Sequence, residues 1–428
     1  LADCVEILDS IMGSNKTNGI LKWMDNNPDE KFLYISPLLS EVDSNSRLQT
    51  DLKHISFEYP DVDIENGIES KSDDLLKKLR SNCNIGATHS LYLSMTEEHL
   101  REIESRNYHV VIDEELGVID SFDHYSIDDL SYLLDKGDIE ISATDGMISW
   151  VGKDVGTKNK YKYFSTLCNS KSVYATKRND TMMVTQLPIK LFTCAKRVII
   201  MTYMFDGNIL DCFLKLKGVK TKPFTEVETT KVSKAKLREL ITLVPPTNEV
   251  SKVGMSSSKY SKGSKEDCLV VSNYIRNVCR QYDALSKDVM YTFPKVLLDS
   301  NRKNGKKIRP KSFIEYKLPV LDDNGKVILD KNGKEKFDKF SCWLHASCRA
   351  TNKYSFKWCL IHAYDRYPNA VVETYLQDYG VNPKRNVFAT SEICQWVWRS
   401  RIRNSEPIVL AIANKRMFSL FSEWLEDE

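Results

Sequence analysis

Five residues near the amino end, Gly13-Ser14-Asn15-Lys16-Thr17, carry the parts of a polyphosphate-binding turn. Small residues let backbone N–H groups wrap the anion. A lysine reaches the outer phosphate oxygens, a hydroxyl takes Mg²⁺, and the dipole of a following helix favours negative charge. Lys16 and Thr17 fill the last two positions, and the sequence predicts a helix over Thr17–Asp25 behind them. The strict pattern has glycine where Ser10 and Asn15 stand. Asparagine tolerates a left-handed backbone better than most residues, so the turn can still form. The same five residues would also serve as a polar helix-capping turn.

A second group is Val110-Val111-Ile112-Asp113-Glu114-Glu115, an apolar run that ends in acids. A Mg²⁺–nucleotide site needs such carboxylates at a strand end. Asp113 would hold Mg²⁺, directly or through water, and Glu114 would orient and deprotonate an attacking water. Glu115 is surplus and reads as solvated. A surface acid cluster ending a strand is the alternative. The third group is Gln395-Trp396-Val397-Trp398-Arg399-Ser400-Arg401-Ile402-Arg403. On a helix, Gln395, Arg399 and Arg403 are four apart and share a face. Guanidinium forks on one face can grip a γ-phosphate in bidentate fashion. Trp398 and Ile402 would dock that helix; a basic amphipathic helix covering a solvent face is the other reading.

These groups need a frame. Phe32–Ser36, Asn84–Thr88, His109–Ile112 and Arg197–Thr202 read as strands, and Leu93–Arg106 as a helix capped by Ser94 or Thr96. Strands alternating with helices predict an α/β fold on mostly parallel sheets. Between Val244 and Glu266 stand Pro245-Pro246, Gly254, Gly263 and a Ser- and Lys-rich stretch, which is linker chemistry. Asn324-Gly325 and Asn332-Gly333 suit tight hairpin turns and predict an inserted β-ribbon near 322–340. The expected division is a first lobe over 1–215, a connection over 216–266 and a second lobe over 267–428.

In this order the segments resemble the RecA-like helicases of superfamily 2, and most closely phage replication helicases. The resemblance rests on I-M-G-S-N-K-T at 11–17, G-A-T-H-S-L at 86–91, V-I-D-E-E at 111–115, V-I-I-M-T-Y-M-F at 198–205, R-A-T-N at 349–352 and Q-W-V-W-R-S-R-I-R at 395–403. It implies two RecA-like parallel-sheet lobes in tandem, with ATP and Mg²⁺ bound between them. Gly13, Ser14, Asn15, Lys16 and Thr17 would bind the nucleotide, and Thr17 and Asp113 the metal. Glu114, Gln395, Arg399 and Arg403 would carry the chemistry, Arg399 as the finger. Thr202, Tyr203, Arg349 and Asn352 would couple nucleotide state to a nucleic-acid groove. Trp398 departs from the glycine of many relatives, and Arg403 falls one residue late.

Thr88 and His89 resemble the family's DNA-contacting loops; a strand-to-helix turn with a capping hydroxyl is equally consistent. The stretch 301–311 holds six basic residues and no acid, and its Arg302, Lys303, Lys306 and Lys307 make the best footprint for a phosphate backbone. Tyr203 and Phe205 could stack bases, although core packing after a buried strand is the stronger reading. The implied partners are single-stranded or forked DNA and other replication proteins, in a host cytoplasm if the source is a phage. A non-catalytic DNA-binding module, an RNA-directed helicase and an ATP-dependent assembly or packaging motor are the alternatives.

Across 428 residues, 61 basic and 59 acidic side chains nearly cancel, so any nucleic-acid surface must arise from local clustering. The eleven cysteines form no C-x-x-C pair, which argues against a zinc ribbon and for reduced thiols in a cytosol. No apolar run approaches the roughly 20 residues of a membrane span. The first residue is Leu1, which suggests a trimmed start.

Overall fold

Short β-branched runs bounded by polar turns become strands buried on both faces, as parallel sheets require. The structure, a computed structural model, describes residues 4–64, 68–179, 182–298, 306–322, 326–330, 332–348 and 353–427. It divides into two compact units, Leu1–Lys231 with Pro368–Phe388, and Val232–Tyr367 with Ala389–Glu428.

The first unit begins with β1 (Cys4–Asp9), β2 (Phe32–Ser36), β3 (Phe57–Glu58), β4 (Asn84–Thr88) and β5 (His109–Asp113). A small module follows, made of β6 (Ile119–Phe122), β7 (Ile139–Ile141), β8 (Ile148–Trp150), β9 (Val173–Ala175) and β10 (Met183–Gln186). The chain then returns through β11 (Arg197–Thr202) and β12 (Lys220–Pro223). The main sheet runs β12-β1-β11-β5-β2-β4-β3, and every pairing is parallel. Alternate residues feed two cores. Ile35, Ile112 and Ile200 face one side; Tyr34, Val111 and Met201 face the other, beneath Ile20 and Met24 of the helix Lys16–Asp25.

The four strands expected here are present at their predicted positions. The helix expected over Leu93–Arg106 is shorter, Glu97–Ser105, with Thr96 as its cap.

In the second unit, β13 (Ile241–Val244), β14 (Val289–Thr292), β17 (Cys359–His362) and β18 (Ile408–Ile412) form a parallel sheet in the order β13-β18-β17-β14. Between β14 and β17 stand β15 (Glu315–Pro319) and β16 (Phe337–Ser341), an antiparallel ribbon. The expected ribbon is therefore real, but its first strand lies wholly before 322 and its second runs one residue past 340.

The division at 216–266 needs correcting. Lys220–Pro223 is an edge strand of the first sheet, and the second unit opens at Val232. The Ser- and Lys-rich stretch is not a linker. Ser256 caps the helix Ser257–Lys262, and Ser264 with Asp267 forms a capping box on the helix Lys265–Gln281. All eleven cysteines stand outside any disulfide. Among the described residues no helix is long and apolar enough to cross a membrane.

Candidate active site

The carboxyl ends of β1, β5 and β11 lie side by side in the first sheet. Ligands of open parallel sheets bind at this edge. From β1 the chain turns through residues 10–15 and enters the helix Lys16–Asp25. The turn needs left-handed backbone at two places, Gly13 with φ 78° and Asn15 with φ 64°. The asparagine thus adopts the conformation expected of it. The helix opens without a side-chain cap, so its first-turn N–H groups can serve an anion. The Ser10 hydroxyl donates to Ser14 Oγ at 2.8 Å, and Ser14 is fully buried. The Ser14 carbonyl accepts the Thr230 N–H at 2.9 Å, mooring the turn to a later strap of chain. Gly19 packs under the same strap, because a Cβ there would collide with Val227 Cγ1.

Lys16 is aimed at the sheet edge. Its ammonium donates to the Thr202 carbonyl at 2.7 Å and to the Ser10 carbonyl. Burial pulls its pKa below the ordinary lysine value, while the carboxylates of Asp113, Asp9, Glu114 and Glu115 oppose that shift. Asp113, at the end of β5, accepts the Tyr34 hydroxyl at 3.0 Å. Burial, then the like charge of Glu114, pushes the Asp113 carboxyl up to about 6, against the Tyr34 hydrogen bond and the Lys16 charge. Glu114 follows with φ 63°, a left-handed conformation that costs a non-glycine residue roughly 1–2 kcal/mol. The constellation proposed from sequence is therefore assembled in this unit: Lys16 lies within the field of Asp113 and Glu114.

Glu115 is not the solvated surplus acid expected. It accepts from the Thr202 hydroxyl and the Asn208 amide, and so ties the end of β11 to the second residue after β5. Asp9, Tyr34 and Asn208 were missed. Asp9 accepts the Met204 and Phe205 N–H groups at 2.8 and 2.9 Å and sets the loop after β11. Its signal was the V-E-I-L-D run directly before the phosphate turn.

The donor set fits the expected metal and nucleotide. Mg²⁺ is ordinarily held by one or two oxygen side chains plus substrate phosphates, and Thr17 and Asp113 are of that number and kind. Asp113 at about 6 is ionised at neutral pH.

Thr88 caps the short helix His89–Leu93 by accepting the Leu91 N–H. His89 donates through Nε2 to the Asp113 carbonyl at 2.8 Å. That contact favours a positioning part over DNA contact for His89. Thr202 is buried and Tyr203 half-buried, while Phe205 is core, as its packing reading had it. Arg302, Lys303, Arg349 and Asn352 lie outside the described residues. Lys306 donates to the Ser261 carbonyl at 3.2 Å, and Lys307 is exposed.

The arginine helix needs the largest correction. It spans Arg385–Val397 and stops there. The Ser400 hydroxyl donates to the Val397 carbonyl, and the Arg401 N–H leaves for the Lys357 carbonyl at 3.0 Å. Gln395, Arg399 and Arg403 therefore do not share one helix face. Gln395 donates to Ser391 Oγ, still inside the helix. Arg399 is buried just past its end, with Nε donating to the Cys348 carbonyl at 3.2 Å. Arg403 is exposed on the turn Arg401–Asn404.

Comparisons with known proteins agree with this frame. The family model for the YonV C-terminal Rossmann-like domain matches residues 235–425. The SPbeta prophage-derived uncharacterized protein YonV of Bacillus subtilis (strain 168) is 30% identical over 441 residues, covering 99% of each chain. A solved structure described as an XPD helicase superposes with a TM-score of 0.52 at 13% identity, across 99% of this chain and 95% of that one. That likeness bears out the fold class: α/β, with two RecA-like parallel-sheet lobes in tandem and a ribbon inserted in the second.

Proposed function

This chain belongs to the YonV family, and on that premise we propose that it is a helicase-type nucleoside triphosphatase whose hydrolysis of ATP drives movement along nucleic acid. The observation that carries the reading is the gathering of Lys16, Asp113 and Glu114 at the carboxyl edge of the seven-stranded sheet.

The backbone of Gly13–Asn15 would hold the phosphates, and Lys16 would exchange the Ser10 and Thr202 carbonyls for phosphate oxygens. Thr17 and Asp113 would hold Mg²⁺, which supplies positive charge to the phosphoryl group being transferred. Glu114 would orient the attacking water and take its proton. Glu115 would relay the state of this edge to Thr202 and Tyr203. In the second lobe Arg399 is the candidate finger, since it is buried and held, whereas Arg403 is exposed. Single-stranded DNA is the expected track, in phage replication as the resemblance implies.

The test is ATP hydrolysis by the full chain with and without single-stranded DNA, with an RNA arm, beside Lys16→Ala. DNA-stimulated phosphate release that Lys16→Ala abolishes is expected. Stronger stimulation by RNA would make RNA the track. Equal release by wild type and variant would end the motor reading and leave a non-catalytic DNA-binding module, the possibility raised by Ser10 and Asn15 standing where glycines are usual.

A further inference from the structure

The ribbon β15–β16 presents two different faces. Toward the body, Tyr316 is buried and stacks on its cross-strand partner Phe340, with ring centroids 5.4 Å apart. The Lys357 ammonium sits 3.9 Å from the centre of the Tyr316 ring, and Phe356 meets that ring edge-on. This face anchors the ribbon.

The opposite face follows from the period of two. Lys317 pairs with Lys339, and one step further along Pro319 pairs with Phe337. All four side chains are exposed, Phe337 at 45%. Beyond them stand two isolated antiparallel bridges, Leu321↔Val327 and Leu329↔Glu335. Leu321 and Leu329 are exposed at 53% and 56%.

Two features here cost stability and bring none to the ribbon itself. Like charges directly opposite across an antiparallel pair repel, and no ion pair joins Lys317 or Lys339 to a carboxylate among the described residues. Glu315, one pair back, is the nearest acid on that face of the register, while Asp338, next to Lys339 and opposite Leu318, belongs to the other face. Exposed aromatic and aliphatic side chains next to that cationic pair lose the hydrophobic stabilisation they would gain by burial. A polyanion with apolar faces relieves both at once. Single-stranded nucleic acid is that polymer: phosphates balance ammonium groups, and bases stack on aromatic rings without regard to sequence.

We propose that this outer face of the ribbon is a contact surface for single-stranded nucleic acid, with Lys317 and Lys339 on the phosphates and Phe337 stacked on a base. It deepens the reading of the chain as a nucleic-acid motor and rests on that reading.

The variant that tests it is Lys317→Glu in the full chain. It turns a repelling cross-strand pair into an attracting one, so the ribbon gains stability while the surface loses its cationic pair. A role confined to folding would improve with this change; a role in binding would be lost. Binding of a fluorescent thymidine oligonucleotide is measured across a salt series, with thermal unfolding alongside. Lys317→Glu is expected to weaken binding roughly twentyfold near 0.1 M salt and to flatten the salt slope by about 1.4, as two lost single-strand phosphate contacts require, with an unfolding midpoint no lower than wild type. Phe337→Ala is expected to weaken binding about tenfold with the slope unchanged. Wild-type affinity and slope in both variants would overturn the ribbon surface while leaving ATP hydrolysis and the motor reading intact, and would turn the face over to a protein partner. A wild-type chain that neither binds the oligonucleotide nor hydrolyses ATP would overturn both.

Discussion

The carboxyl edges of the two parallel sheets manage charge in opposite ways. In the first unit a single ammonium, Lys16, lies in the field of Asp9, Asp113, Glu114 and Glu115. Negative charge is in excess, and burial, with the like charge of Glu114 behind it, holds the Asp113 proton up to about pH 6. In the second unit the charges are matched one to one. Arg366 meets Glu392 at 2.5 Å, and Arg416 meets Asp365 at 2.7 Å. The buried His362, at the end of β17, is kept neutral, with its pKa pushed down to about 3 by burial and by Arg366. An edge with surplus acid is built to receive cations. An edge with its charges already satisfied is built to keep its shape.

Arg399 offers the sharpest way to break that contrast. If the second unit contributes a finger, Arg399→Ala lowers kcat on the order of a thousandfold while ATP binding persists. If its arginine is only structural, hydrolysis survives and chemical denaturation shows a loss on the order of 1–3 kcal/mol, the cost of an unmet buried hydrogen-bonding group. Lys16→Ala comes next: kcat should fall at least about a hundredfold, read by phosphate release, and nucleotide should no longer raise the unfolding temperature.

Asp113→Asn separates function from stability. The folded pKa of about 6 lies above the ordinary 3.8, so the native state holds the proton longer than the unfolded chain. The stabilisation present below about pH 4 is lost as pH rises to 6, and above 6 the buried charge opposes folding. The amide removes that penalty. Above pH 7 the variant should be more stable by on the order of 2 kcal/mol in urea unfolding, yet inactive. In the wild type, Mg²⁺-dependent activity should decline as pH falls through about 6.

The effect expected of the second unit is confined to acid. His362 has a folded pKa of about 3 against an ordinary 6.5, so the unfolded chain takes the proton first. Its stabilisation is complete above about pH 6.5 and drains away as pH falls toward 3, by about 1.4 kcal/mol per pH unit. His362→Phe should flatten that slope in acid titrations of stability. An unchanged slope would show that the second edge is not held by a neutral histidine.

The sheet of the first unit was legible because strands buried on both faces are continuous apolar runs: Phe32–Ser36 and Arg197–Thr202 declare themselves. Cys4–Asp9 was harder, because Glu6 interrupts the run, and only the structure shows Glu6 held by Arg197 through paired hydrogen bonds of 2.6 and 2.7 Å. The phosphate turn and the acids could be read because each needs particular residue types beside a strand end. The arginine face could not. Spacing of four implies one face only while the helix lasts, and this helix ends when a tertiary bond to Lys357 takes the main chain of Arg401. Composition misled at Ser256 and Ser264, where serine caps helices and does not loosen a linker.

The bond from Thr230 to the Ser14 carbonyl carries a mechanical consequence. Thr230 stands two residues before the chain enters the second unit at Val232. Two residues of extended chain give a slack of at most about 7 Å. Any reshaping of the phosphate turn that shifts Ser14 must therefore break that bond or pull Thr230 along on a tow-line this short.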